Sequence, residues 1–438
     1  MNKRNRILVS VLLIIGLLAT LAGCSNNGNG QDVETTPPAQ SEPAPATPSS
    51  DEAEGSTELH KVYTLVDQAL SGVYSPVLED RSKVEKALPN GKKENIVIGF
   101  SQATQSNPWF VSVSDAMKAA SEKYGYDIKI YVADFDAVKA SNDIESMITL
   151  GCDIIIVDPI EIAASETDVR RAVDAGIPVI GIGVGFTDPD IPIVTTILSN
   201  SYENGWSCGS YSSSHFEKGP LNAAVIIGAW GSSTSESRIN GMIGGLIYER
   251  AKMYGLNLSR EDAILKGLDL MTDLRDKGNS GWDEIELKFV SSGQGSWNDE
   301  GGMTAAEDIL TANPNLDLIL SENDFMGIGA SRVANQMNVD VKIACAADGS
   351  REGMEYVKNG DMLCVGYNNG TMCGTYVIEL IHKIFGEGYD ANNLPLISAF
   401  DPVCINKDNV DQYYDANEPF AKASTYEFKT IDERNAQK

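Results

Sequence analysis

From Asn95 onward the chain repeats one pattern. A short, nearly continuous apolar run is followed by a turn, then by a longer stretch whose apolar residues recur every three or four positions. Ile96-Val97-Ile98-Gly99-Phe100 reads as a buried strand. After Asn107-Pro108, the residues Phe110, Val113, Met117, Ala120 and Tyr124 share one face of a predicted helix that Gly125 stops. Further strands are predicted over 128–132, 153–157 and 178–182, with helices ending at Gly151 and near Gly176. Such alternation gives a parallel sheet covered by helices on both faces. The pattern then restarts, with strands over 222–228, 286–290, 316–320, 341–345 and 362–366. Helices are predicted over 235–252, 298–312, 325–337, 351–358 and 371–385. The expected fold class is α/β, two doubly wound parallel-sheet lobes joined by a hinge. Its natural ligand site is the cleft between them, beyond the carboxyl ends of the strands.

Residues 254–284 interrupt the alternation. Their acidic residues Asp269, Asp273, Asp276 and Asp283 suggest calcium, but Arg275 and Gly278 fall where an EF-hand needs ligands. The stretch therefore reads as a solvated surface excursion.

The chain ahead of the first strand behaves differently. Lys3, Arg4 and Arg6 precede an apolar run from Ile7 to Leu21, too short for a comfortable membrane span and flanked like a secretion signal. It ends in Leu21-Ala22-Gly23-Cys24, which resembles the lipobox of bacterial lipoproteins, and that resemblance implies lipidation of Cys24. Residues 24–57 are polar and crowded with Pro37, Pro38, Pro43, Pro45 and Pro48, a composition that cannot bury apolar surface. They read as a disordered tether with a reach of about 30 Å as a coil. The division expected is 1–23 lipoprotein signal peptide, 24–57 tether, 58–94 helical lead-in, 95–199 first lobe, 200–366 second lobe, 367–403 return to the first lobe, and 404–438 C-terminal segment.

Charge narrows the function. Acidic residues outnumber basic ones 62 to 34, for a formal net charge of −28. That excludes a basic nucleic-acid footprint and docking on anionic lipid through a basic face. The three histidines, His60, His215 and His382, are widely spread, which argues against a histidine-rich metal site. Besides Cys24 there are Cys152, Cys208, Cys345, Cys364, Cys373 and Cys404, with no C-x-x-C pair, and their pairing stays open. Gly205-Trp206-Ser207-Cys208-Gly209 matches the G-x-S-x-G of serine hydrolases, yet the residues before it are polar rather than a buried strand. Small residues packing a helix closely explain it better. No Walker A sequence occurs, and Gly181-Ile182-Gly183-Val184-Gly185 lacks the third glycine of a dinucleotide loop. The expectation is a binding protein, not an enzyme, with no cofactor and no metal.

From about Asn95 to Val410 the sequence resembles type 1 periplasmic sugar-binding proteins, the solute receptors of ABC importers related to ribose- and galactose-binding proteins. The likeness rests on several motifs in order. Ser106-Asn107-Pro108-Trp109-Phe110 is similar to the family's first-loop motif. Arg238, in Ser235-Glu236-Ser237-Arg238-Ile239-Asn240-Gly241, stands where the family places a ligand-binding arginine. Trp297 falls at the position of the opposite-lobe aromatic. Ser321-Glu322-Asn323-Asp324-Phe325-Met326-Gly327 looks like the A-x-N-D-x-M-A segment, and Asp348-Gly349 matches the F-D-G aspartate with Ala347 in place of the aromatic. Asn368 takes the place of the hinge-side amide.

The resemblance implies ligand contacts from Asn107, Trp109, Phe110, Arg238, Trp297, Asn323, Asp348 and Asn368. The chemistry agrees: a sugar offers an apolar face to aromatics and a hydroxyl rim to charged and amide groups. One departure stands out. Ribose receptors carry an Asp-Arg pair after the strand that here runs from Ile177 to Ile182, and this chain has Gly183-Val184. Gln102 and Asp158 are additional candidates to fill that end. The function expected is a lipid-anchored, extracytoplasmic, monomeric receptor. It closes on a sugar-like ligand and presents it to an ABC permease. Alternatives are a ligand-sensing receptor subunit, a receptor for a nucleoside or furanosyl signal molecule, and, from another class, an exported hydrolase.

Overall fold

The computed structural model describes Leu88 and residues 93–186, 188, 191–394 and 396–422. Cys24, the tether over 24–57 and nearly all of the lead-in over 58–94 lie outside the described residues. Among the described residues, no helix is long and apolar enough to cross a membrane.

The alternating pattern builds two sheets. The first has six strands in the order β12-β5-β4-β3-β1-β2, namely Ile397–Ala399, Thr196–Leu198, Val179–Ile182, Ile154–Val157, Val97–Gln102 and Asp127–Val132. All its neighbours pair in parallel. The second has seven in the order β13-β11-β10-β9-β6-β8-β7: Cys404–Asn406, Cys364–Gly366, Lys342–Cys345, Leu318–Ser321, Leu221–Ile227, Leu287–Gln294 and Ser280–Trp282. Its two edge strands run antiparallel to their neighbours and the rest run parallel. Strands β3, β4 and β9 are fully buried and made mostly of Ile, Val and Leu, as expected of strands covered on both faces.

Helix ends are set by local chemistry. In α1 (Pro108–Tyr124), Asn107 accepts from the Trp109 amide at 2.8 Å, Pro108 opens the first turn and Gly125 closes the helix at φ +71°. Helices α2 (Ala137–Leu150) and α3 (Ile162–Asp174) flank the first sheet; α4 (Ser201–Ser213), α5 (Ser233–Tyr254), α6 (Arg260–Lys277), α7 (Asp299–Ala312), α8 (Asp324–Met337) and α9 (Arg351–Asn359) follow. Then α10 (Gly370–Ile381) returns to α1, where Gly370 and Gly374 pack against the backbone of Trp109 and Val113. Three segments link the sheets: Ser199-Asn200 after β5, Tyr367 to Asn369 after β11, and Phe400 to Val403 between β12 and β13.

Two stretches depart from the sequence reading. The supposed solvated excursion contains α6, whose Ala263, Ile264, Gly267, Leu270, Met271 and Leu274 are buried against the second lobe. Its acidic residues lie on the opposite face, where Asp273 pairs with Lys277 at 2.7 Å and Asp276 with Arg275 at 2.8 Å. The three-residue strands β5, β7, β12 and β13 were not predicted, whereas the equally short β11 was, from the longer run Met362 to Gly366. The G-x-S-x-G stretch lies inside α4. There a side chain on Gly205 or Gly209 would collide with the α5 backbone at Arg238 and Met242. Ser207 donates to the Asn204 carbonyl at 3.0 Å, a helix-surface contact rather than a nucleophile's.

Candidate functional site

A cavity of about 310 Å³ opens between the two lobes. Loops at the carboxyl ends of strands line it from both sides, where doubly wound sheets place ligands. The first lobe contributes Asn107, Trp109 and Phe110 from the start of α1, Asp158 after β3, and Gly183-Val184 after β4. The second contributes Arg238 from α5, Trp297 after β8, Asn323 at the head of α8, and Asp348 after β10. Asn368 comes from the linking segment after β11.

The polar side is a bonded network. Arg238 is buried and its Nη1 donates to Glu322 Oε1 at 3.1 Å, while Nη2 lies 3.7 Å from Asp348 Oδ1. Asp348 also accepts from Asn368 Nδ2 at 2.7 Å and Asn323 Nδ2 at 3.3 Å. Asn323 caps α8 through its oxygen, which accepts from the Met326 amide at 3.1 Å, and spends its nitrogen on the site. Asn323 thus caps the helix with one side-chain atom and borders the cavity with the other. Asp348 is no cap, since Ser350 caps α9.

Glu322 is the residue that sequence reasoning missed. It is fully buried, and its two oxygens accept from Arg238, from Trp297 Nε1 at 2.9 Å, from Ser235 Oγ at 2.6 Å and from the Gly228 amide at 2.5 Å. A side chain on Gly228 would collide with the indole nitrogen of Trp297, so only glycine lets that ring reach the carboxylate. Trp297 sits in a tight turn at φ +57°, half-buried, its carbonyl accepting from Asn107 Nδ2 at 3.0 Å across the cleft. Trp109 Nε1 donates to the Asn368 carbonyl at 3.0 Å, joining the first lobe to the linking segment.

Nine of the ten candidates within the folded body line the cavity: the eight carried by the resemblance, and Asp158. Gln102 does not. It is buried behind the wall, its Nε2 donating to the Phe110 carbonyl at 2.6 Å and its Oε1 accepting from Gln105. The end near Gly183 is mainly apolar, with Phe110, Phe135, Ile160, Ile162 and Val184. Within it Asp158 accepts from the Ala103 amide at 3.2 Å, and burial pushes its carboxyl up to about 7.

Away from the cleft, one group among the described residues has donors close enough for a metal ion. The sulfurs of Cys208, Cys364 and Cys404 lie within 4.8 Å of one another, three donors where a closed zinc site uses four. Burial raises the Cys208 and Cys364 thiols, while hydrogen bonds from those two hold Cys404 low.

A family profile described as periplasmic binding protein domain matches residues 98–388. The chain belongs to that family. It is a solute-binding protein and not an enzyme, and the family is extracytoplasmic. Among curated relatives, the ribose import binding protein of Bacillus subtilis is 23% identical over 270 residues, covering 62% of this chain and 75% of that protein. The D-apiose import binding protein of Paraburkholderia graminis is 25% identical over 296 residues, covering 67% and 82%. Among solved structures, an ABC transporter solute binding protein of Actinobacillus succinogenes with bound D-allose superposes with a TM-score of 0.58 at 22% identity, covering 73% of this chain and all of that one. A galactofuranose binding protein gives 0.59 at 17% identity, covering 72% and 96%. Those structures share the two-lobed α/β fold.

Proposed function

We propose that this periplasmic binding protein captures a carbohydrate between its lobes and delivers it to an ABC importer. The observation that carries the reading is the pairing of two indoles, Trp109 and Trp297, with a buried Arg238–Asp348–Asn323–Asn368 network around one cavity. Indole faces cover the apolar side of a sugar ring, while a carboxylate, a guanidinium and amides in fixed positions bond its hydroxyl rim. The curated relatives named for ribose and D-apiose import support the same class of solute. Ribose itself is disfavoured, because Gly183-Val184 supplies no polar side chain and leaves Asp158 as the carboxylate at an otherwise mainly apolar end.

On this reading the ligand contacts are Asn107, Trp109, Phe110, Arg238, Trp297, Asn323, Asp348 and Asn368, with Asp158 at the apolar end. The protein acts as a monomer, held to the outer face of the cell membrane by acyl chains on Cys24. Calorimetry and melting of Trp297→Ala test the site. The half-buried indole leaves the fold little changed when removed, so affinity falls at least tenfold while the melting temperature holds. A sharp fall in melting with affinity intact makes Trp297 a core residue instead. Palmitate labelling tests the anchor, and label retained by Cys24→Ala refutes it.

A further inference from the structure

We propose, resting on the carbohydrate reading above, that the solute carries an ammonium group, received by Asp158 and the indole of Trp109 at the first-lobe end of the cavity.

The charges around the cavity do not balance. Arg238 is the one cation among its lining residues. It is already engaged by Glu322 at 3.1 Å and Asp348 at 3.7 Å, whose oxygens are further satisfied by Trp297, Ser235, Gly228, Asn323 and Asn368. Asp158 stands apart from that network. It is 5% exposed, lines the cavity, and accepts a single hydrogen bond, from the Ala103 amide to Oδ2. Among the described residues no cation pairs with it. A desolvated carboxylate without a counter-charge must hold a proton or find a cation. Burial accordingly raises its carboxyl to about 7, so at neutral pH it is poised to exchange that proton for a positive group.

The surroundings fit an ammonium in size and chemistry. A methyl group placed on Gly183 would lie 3.1 Å from Asp158 Oδ1 and 3.5 Å from Trp109 Cη2, so carboxylate and indole border the same small volume. Phe110 meets Trp109 edge to face at 5.1 Å and Phe135 at 6.2 Å, extending the aromatic wall. A carboxylate beside aromatic side chains holds a cationic amine by charge-assisted hydrogen bonding, to which a ring face turned toward the amine adds cation–π attraction. A hydroxyl in that volume would bond Asp158 but could not take the place of the proton the buried carboxyl must otherwise hold.

Calorimetry on the purified protein at neutral pH decides it, using D-glucosamine against D-glucose, D-galactosamine against D-galactose, and D-mannosamine against D-mannose. The amino sugar of at least one pair binds about tenfold or more tightly than its parent, and Asp158→Asn brings that ratio to within about twofold of one. Neutral sugars bound with no preference for the amine overturn the inference and leave the carbohydrate reading standing. A preference that survives Asp158→Asn also overturns it. Failure of every member of both series contradicts the carbohydrate reading, and the inference with it.

Discussion

Asn107 Nδ2 donates to the Trp297 carbonyl at 3.0 Å, joining the first helix of one lobe to a loop of the other across 190 positions of sequence. The same side chain caps α1 through its oxygen. One residue therefore sets the direction of the helix that carries Trp109 and latches the lobes together.

Asn107→Ser keeps a capping hydroxyl but is too short to reach Trp297. Loss of one interlobe hydrogen bond, worth about 1 kcal/mol net, weakens solute binding about fivefold. It also shifts the unliganded protein toward an open form, which small-angle scattering reads as a larger radius of gyration. An unchanged radius and affinity would show that the bridge plays no part in closure.

Glu322→Gln removes the charge that faces buried Arg238 and leaves only Asp348, 3.7 Å away. Breaking a buried pair in this way costs about 3 kcal/mol or more, read as a lower urea midpoint. Trp297 keeps an acceptor in the glutamine oxygen, so indole fluorescence in the native state stays close to that of the parent.

Asp158 makes stability depend on pH. Its carboxyl ionises in the ordinary carboxylate range when unfolded and at about 7 when folded, because burial penalises the charge. Between those values the folded state holds the extra proton, so stability falls as pH rises toward 7 and is level above it. Asp158→Asn removes that slope and stabilises the empty protein at alkaline pH by up to about 4 kcal/mol. The Cys373 thiol is the titratable neighbour that feels this charge, and burial holds it neutral throughout the window. Thermal melts across pH, with and without the substitution, check the sign.

Gly209→Ala adds a methyl group against the Met242 backbone, where α4 and α5 touch. Forcing those helices apart costs about 1–3 kcal/mol, seen as a lower melting temperature. Ser207→Ala, on the same helix, leaves both melting and solute binding unchanged.

Most of the architecture was written in local pattern, and most of the site in motifs at strand ends. Asn107 and Asp348 stood out because each sits in a recognisable string, Asp348 directly after an apolar run. Glu322 did not. It lies inside the string Ser321-Glu322-Asn323-Asp324, and its burial depends on Arg238, 84 positions earlier, which no local window relates to it. The stripe of α6 was present at helical spacing from Ala263 to Leu274, but the acidic residues between drew attention to its outer face. Strands β12 and β13 owe their places to partners far away, Ile397 beside Thr196 and Cys404 beside Gly366. Such pairing leaves no periodic trace in so short a segment.

On the proposed reading, the cleft between the lobes holds a carbohydrate through Arg238 and Asp348. Mass spectrometry of the small molecule released when the purified protein is denatured tests it most directly, with Arg238→Ala protein prepared in parallel. Close to one equivalent of a polyhydroxylated solute is expected from the parent protein and none from Arg238→Ala. Release of a solute without a hydroxylated ring, or equal release from both proteins, would contradict it.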